Sequence, residues 1–279
     1  MTHHLASHRP AARCLGRKLL PLAAAATLLA IAAGPLRAQQ LIAPSAMVGG
    51  YSQSFLSAQM AQWEFSIPEA TNPILDPTGA HTAQGDHGSY FFLASTFSQA
   101  PVVRNVTVRT DQTLVFSPVS ILFWADAAVN TEADMRTHAA WALGDVSNLT
   151  VTVDGAPALL PNGVNSLDSF LQSGPLFPLS LPANGIISTI WGYPPGIFPA
   201  VTLGYTFALE GLSAGQHQLR FTSTNLSTGP YAGGSPISYD VTYNITAVPE
   251  PGTWALMGLG LLAIGVRALR RQAVSTSST

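Results

Sequence analysis

The chain has 279 residues, 47% hydrophobic and only 9% charged, with a formal net charge of −2 and a single cysteine. That length supports one substantial core, and a lone cysteine excludes an internal disulfide framework. Residues 39–247 carry four basic side chains, all arginine, against thirteen acidic ones, so 4 − 13 = −9, and such a lysine-free acidic segment excludes a phosphate-binding, nucleic-acid role.

Arg9, Arg13, Arg17 and Lys18 precede the apolar stretch Leu19–Gly34, and a cleavage point follows Ala38. A basic region, an apolar region and a cleavable end form the layout of a secretory signal peptide, here residues 1–38. Cleavage after Ala38 puts Leu36 three positions before the cut, larger than the small side chain usual there. Cys14 lies before the apolar stretch, where a lipid-bearing cysteine would follow it. The processed chain therefore offers no thiol chemistry and no cysteine ligand for a metal.

Residues 39–247 read as one exported, mainly β domain. A helix is expected over Gln53–Glu64, with Leu56, Met60 and Trp63 on one face. His81, Asp86 and His87 then cluster in a Gly-rich loop, with Asp76 near them. Two histidines and a carboxylate can ligate Zn²⁺ or Ca²⁺. The plainer expectation is a polar loop whose side chains bond the local backbone, with no metal and no cofactor. Strands are expected at Tyr90–Ala94, Val102–Arg109, Thr113–Phe116 and Val119–Trp124, the last apolar on both faces and so central and buried. A second helix is expected over Asn130–Leu143. Thr131 and Asp134 stand at capping-box spacing, and Gly144 can close the end. Glu132, Asp134 and His138 resemble an acid–base group on paper, but acids in a first turn answer to the helix dipole.

A strand over Leu149–Val153 meets the turn pair Asp154-Gly155. Pro157–Pro199, rich in Pro, Gly and Asn, reads as long loops with one short strand near Ile186–Trp191. Trp191 and Tyr193, in such a loop, are the candidate glycan contacts, because an exposed aromatic face packs against sugar C–H groups. Trp63 and Trp124 read as core. Val201–Leu209 and Ile237–Thr246 alternate apolar and polar residues over their whole length, the strongest strand pattern in the chain. Between them, Gly211–Gly215 is a turn, His217–Thr222 a strand opened by a structural histidine, and Ser227–Ser235 a loop. Many short strands with Gly and Pro between them indicate an antiparallel β-sandwich or jelly-roll-like fold with one or two short helices.

The last thirty-two residues, 248–279, have a three-part pattern. Val248-Pro249-Glu250-Pro251 is followed by an apolar run from Gly252 to Val266 and by Arg267, Arg270 and Arg271. Two prolines keep the first part extended. The run of 15 residues spans roughly 22 Å as a helix at ~1.5 Å per residue, short of the ~30 Å hydrocarbon core. Arg267 can snorkel while Ala268 and Leu269 add length, which predicts a transmembrane helix over 252–269 and a basic, cytoplasmic end at 267–271. This pattern resembles the PEP-CTERM sorting tail of exported Gram-negative proteins. The resemblance implies an exosortase-type membrane protease as partner, a transient inner-membrane precursor, and a final place at the cell surface or outside the cell. Gly88–Ala94, Val102–Arg109, Leu114–Pro118 and Leu212–Phe221 more loosely resemble uncharacterised secreted bacterial β-domains, which carry no known activity.

Neither a Gly-x-Ser-x-Gly elbow, His-Glu-x-x-His, a Walker loop nor a dinucleotide fingerprint occurs. Asn-x-Ser/Thr triplets at Asn105, Asn148, Asn225 and Asn244 reflect β-rich composition. The expected function is binding or scaffolding of surface polysaccharide without catalysis. The alternative is a secreted, metal-dependent polysaccharide hydrolase.

Overall fold

The computed structural model describes residues 39–250 together with 252, 258–260 and 262. The expected signal peptide, 1–38, lies outside the described residues, as do Pro251, most of the expected transmembrane helix and Arg267, Arg270 and Arg271.

The domain is mainly β. In chain order its elements are β1 (Gln40–Leu41), β2 (Met47–Val48), β3 (Tyr51–Ser52), α1 (Gln53–Ser66), β4 (Tyr90–Leu93), β5 (Val102–Arg109), β6 (Thr113–Trp124) and α2 (Glu132–Leu143). There follow β7 (Asp145–Val153), β8 (Ala156–Pro157), β9 (Leu171–Ser173), β10 (Phe177–Leu181), α3 (Ile186–Trp191), β11 (Gly196–Glu210), β12 (Gly215–Leu226) and β13 (Ile237–Val248). A six-stranded sheet has the order β1-β11-β6-β4, with β9 and β10 also along β11; a five-stranded sheet has the order β5-β13-β12-β7-β8. One flank of β11 is shared by β10, β9 and β1 in succession, while β6 holds the other.

The pairing is not purely antiparallel. β4 runs parallel to β6, and β5 parallel to β13. The cause is the path of the chain. From β4 it crosses into the second sheet as β5 and returns as β6 beside β4, so the two flanking strands share a direction.

Alternation along the strands builds the interior. Phe91, Leu93, Leu114, Phe116, Phe207 and Leu209 of one sheet join Val106, Val151, Leu219, Phe221, Val241 and Tyr243 of the other in a single cluster. The Phe116 ring meets Phe207 of its own sheet at 5.7 Å and Phe221 of the opposite one at 5.0 Å. The other face of the six-stranded sheet is covered by helices. Leu56 and Met60 of α1 pack on Phe92, Val115 and Ala208, and Met135 and Ala139 of α2 pack on Val201. Burying both faces makes the six-stranded sheet strongly apolar, whereas the five-stranded sheet shows Thr, Asn, Gln and an Arg220–Asp240 pair outward.

Local signals act as expected at both caps of α2: the Thr131 hydroxyl accepts from the Asp134 N–H at 3.1 Å, and Gly144 ends the helix. Asp154 and Gly155 both take positive φ and turn β7 into β8 over two residues. Thr113–Phe116 and Val119–Trp124 are one strand. Its register against β11 shifts between Tyr205 and Phe207, so Ser117 and Pro118 form a bulge where proline owes no ladder bond. Within that strand the doubly buried part is 114–119, and 121–124 are half-buried, so the central burial expected of Val119–Trp124 sits earlier.

Three expectations are corrected. Ile186–Trp191 is the helix α3, not a strand. Gly185 and Gly192 bracket it, Gly192 in the left-handed conformation, and Ile186 and Ile187 are buried against α1 and β10. The surrounding Pro157–Pro199 segment also holds β9, β10 and the first residues of β11, because β11 extends five residues earlier than its alternating pattern. Trp63 and Trp124, expected in the core, are half-buried.

Candidate functional site

The two ends of the domain lie at one pole. Gln40 pairs with Glu210, Gly215 with Ala247 and Arg109 with Val248, and the Gln39 amide reaches Asp154 at 3.1 Å and His217 at 3.0 Å. β13 enters this pole as it ends, and the Thr110 N–H donates to the Val248 carbonyl oxygen at 2.9 Å. Pro249 is half-buried and Glu250 exposed. Beyond them Gly252, Leu259 and Leu262 are helical and exposed. Among the described residues no helix is long and apolar enough to cross a membrane.

β6 and β11 carry the chain to the opposite pole, where Trp124 pairs with Ala200. Twelve residues of β6 at ~3.3 Å each separate the poles by roughly 35–40 Å. The second pole carries an aromatic surface. Trp191 is 51% exposed, Phe97 41% and Tyr193 36%. The Trp191 ring leans on Phe97 at 5.6 Å, and Tyr193 meets Trp124 edge-on at 5.0 Å. Burial raises the Tyr231 hydroxyl pKa, and the neighbouring Asp126 and Tyr193 add to it. Tyr231 in turn bonds His138 Nδ1 at 2.7 Å, beside Trp141 and Phe123. The order of Trp191 and Tyr193 comes from α3: Gly192 breaks the helix and turns the chain toward β11. The sequence pair was legible, but Phe97 and Trp124 join it only through the fold.

The histidine loop does not converge. Asp86 takes bonds from Gln112 at 2.7 Å and from Arg109 at 3.4 Å. The His87 ring stacks on Tyr90 at 5.4 Å, and burial lowers its pKa against the charge of Asp86. His81 gives its backbone N–H to Asp76. Burial opposes ionisation of Asp76, but bonds from His81, Thr78 and Gly79 overcome it and hold the carboxyl at about 2. Among the described residues no three His, Cys, Asp or Glu side chains gather as a metal site. Glu132 is paired with Arg136 at 2.6 Å and Asp134 with Thr131, so neither meets His138 as an acid–base partner.

Sequence reasoning missed two arrangements. His217 Nδ1 lies 2.8 Å from Asp154 Oδ2, and its Nε2 lies 3.2 Å from the Ser213 hydroxyl and 2.9 Å from the Ser213 carbonyl oxygen. The order mimics an acid–base–nucleophile relay. However, the ring is 8% exposed and closes its own turn rather than presenting the hydroxyl to solvent. The second is a buried polar cage. Arg104, 0% exposed, donates to the carbonyl oxygens of Ile74, Asp76, Ala94 and Ser95 and to the Tyr243 hydroxyl. Nearby, burial pushes the Glu64 carboxyl up to about 8, against a bond from Ser95 and the charge of Arg104. Strict alternation with Val102, Val106 and Val108 was the signal for an inward Arg104.

A shallow groove of about 450 Å³ also lies between Gly79–Ala83 and the outer face of β5, β12 and β13, lined by Asn105, Thr107, Gln216, Asn244 and Thr246. Its walls are uncharged, amides and hydroxyls mixed with Ala80, Ala83 and Val106.

Among known families, residues 247–271 match the PEP-CTERM protein-sorting motif. No curated protein and no solved structure matches the chain significantly. The motif marks an exported protein that is sorted through the membrane by an exosortase-type enzyme.

Proposed function

We propose that this is a non-catalytic binding or scaffolding protein of the cell surface or extracellular polysaccharide, delivered there by its sorting tail. In this reading residues 1–38 are a cleaved signal peptide, 252–269 cross the inner membrane in the precursor, and Arg267, Arg270 and Arg271 hold the basic end in the cytoplasm. The exported residues form a two-sheet, sandwich-like body that acts as a spacer.

One observation carries the proposal: the exposed aromatic surface lies at the pole opposite the sorting tail. A domain tethered by Val248 therefore holds Trp191, Tyr193 and Phe97 roughly 35–40 Å from its attachment, directed away from it. Aromatic faces suit the C–H faces of sugar rings, and they do not require the positive charge that this acidic domain lacks. Among the described residues no metal-ligand cluster gathers, and the one acid–histidine–serine contact, at Asp154, His217 and Ser213, closes a buried turn, so nothing there supports the hydrolase alternative.

The test is retention of the exported protein on purified exopolysaccharide of the producing cells. Trp191→Ala combined with Tyr193→Ala is expected to lower retention about tenfold or more while the circular-dichroism spectrum stays unchanged. Equal retention by the double variant refutes the aromatic contact.

A further inference from the structure

We infer that the fold itself sets where the sorting enzyme cuts: the chain is accessible only beyond Val248, and the folded pole stands directly over the motif. The inference rests on the motif being read, and on 252–269 entering the membrane, but not on what the domain binds.

The motif and the domain overlap. The family match begins at Ala247, yet Ala247 is 3% exposed and belongs to the central core cluster. It is held on both sides, opposite Gly215 of β12 and Val108 of β5. Val248 is the last paired residue. It stands opposite Arg109 alone, fastened by the Thr110 N–H to its carbonyl oxygen at 2.9 Å. Peptide-cleaving enzymes hold their substrate extended and use its backbone N–H and C=O groups. At Ala247 the sheet already occupies those groups, between two neighbouring strands, and at Val248 they pair with β5 alone. Release of Val248 opens only the two backbone bonds of its pairing with β5, whereas release of Ala247 also unpacks the core.

The spacer is short. Only Pro249, Glu250 and Pro251 separate the last strand residue from the apolar run at Gly252. The four steps from Val248 to Gly252 span at most about 14 Å when fully extended. The end of β13, at the pole formed by Arg109–Asp111, Gly211–Gly215 and the Asp154-Gly155 turn, is thus within about 14 Å of the start of that run. An enzyme that works at the membrane must enter this gap and touch the pole to reach Glu250. Cutting then breaks one peptide C–N bond, water supplying the hydroxyl of the new carboxyl end on the domain and the proton of the amine leaving with the tail. A cut after residue 249, 250 or 251 leaves every core residue on the domain.

The experiment follows full-length precursor in cells that carry the sorting enzyme, with an eight-residue Gly-Ser linker inserted between Val248 and Pro249. Pulse-chase is expected to show precursor loss about fivefold or more faster, the factor for sparing the two backbone hydrogen bonds of Val248, and mass spectrometry of the unaltered protein is expected to find Val248 retained on the released domain. Processing of the linker variant at the parental rate or slower overturns the inference, as does a released C-terminus at residue 247 or earlier. Glu250→Ala in parallel separates the two levels. If it blocks processing while the linker changes nothing, the motif is read but the fold does not gate it. If it processes normally, the sorting motif is itself not used.

Discussion

Glu64→Gln isolates the buried carboxyl beside Arg104. Glu64 sits in the last turn of α1, its Oε1 is buried without a partner, and burial raises its pKa from 4.5 to about 8. Between those two values the folded protein keeps a proton that the unfolded chain has released. This group's contribution is therefore fully present below pH 4.5 and is lost as pH rises through about 8. At about 1.36 kcal/mol per pH unit the loss is about 3 kcal/mol by pH 7 and approaches about 5 kcal/mol above pH 8. Glutamine has nearly the same shape, can accept the Ser95 bond, and never ionises. Urea unfolding of residues 39–250 at pH 4.5, 7 and 8.5 is expected to give a variant about equal to the parent at pH 4.5 and progressively more stable above it. The comparison cancels His87, whose lowered pKa works in the opposite direction below pH 6.5. A difference between the two proteins that stays flat across this range refutes a buried, proton-retaining Glu64.

Arg104→Met fills the same volume but removes the donors for four carbonyl oxygens and the Tyr243 hydroxyl, so a loss of about 3–5 kcal/mol is expected in urea unfolding. Phe207→Asp puts a carboxylate between Phe116 and Phe170, at the centre of the core, and is expected to abolish the cooperative thermal transition. Chelator at millimolar concentration is expected to leave the melting temperature unchanged; a fall of several degrees would reveal a structural metal, and His81, Asp86 and His87 would be the first residues to replace.

Much of the local structure was decided by short-range rules that the sequence displays. Thr131 and Gly144 mark the limits of α2 through their own bonding, and Val102–Arg109 and Ile237–Val248 alternate because one face of each is buried. The sorting tail is likewise a linear signal, read as a peptide, so no folding was needed to find it. Longer-range features were not available this way. Ile186-Ile187 has strand-forming residues, yet flanking glycines and burial against α1 make it helical. Arg104 follows the inward period of β5, but a charge is tolerated there only because the carbonyl oxygens of Ile74, Asp76, Ala94 and Ser95 converge on it from residues that are ten or more positions away for all but Ser95. Strand direction decided the rest. Period-2 patterning says which face of a strand is apolar but not which strand lies beside it. Only the pairing of β6, β11 and β13 puts the sorting motif at one pole and Trp191, Tyr193, Phe97 and Trp124 at the other.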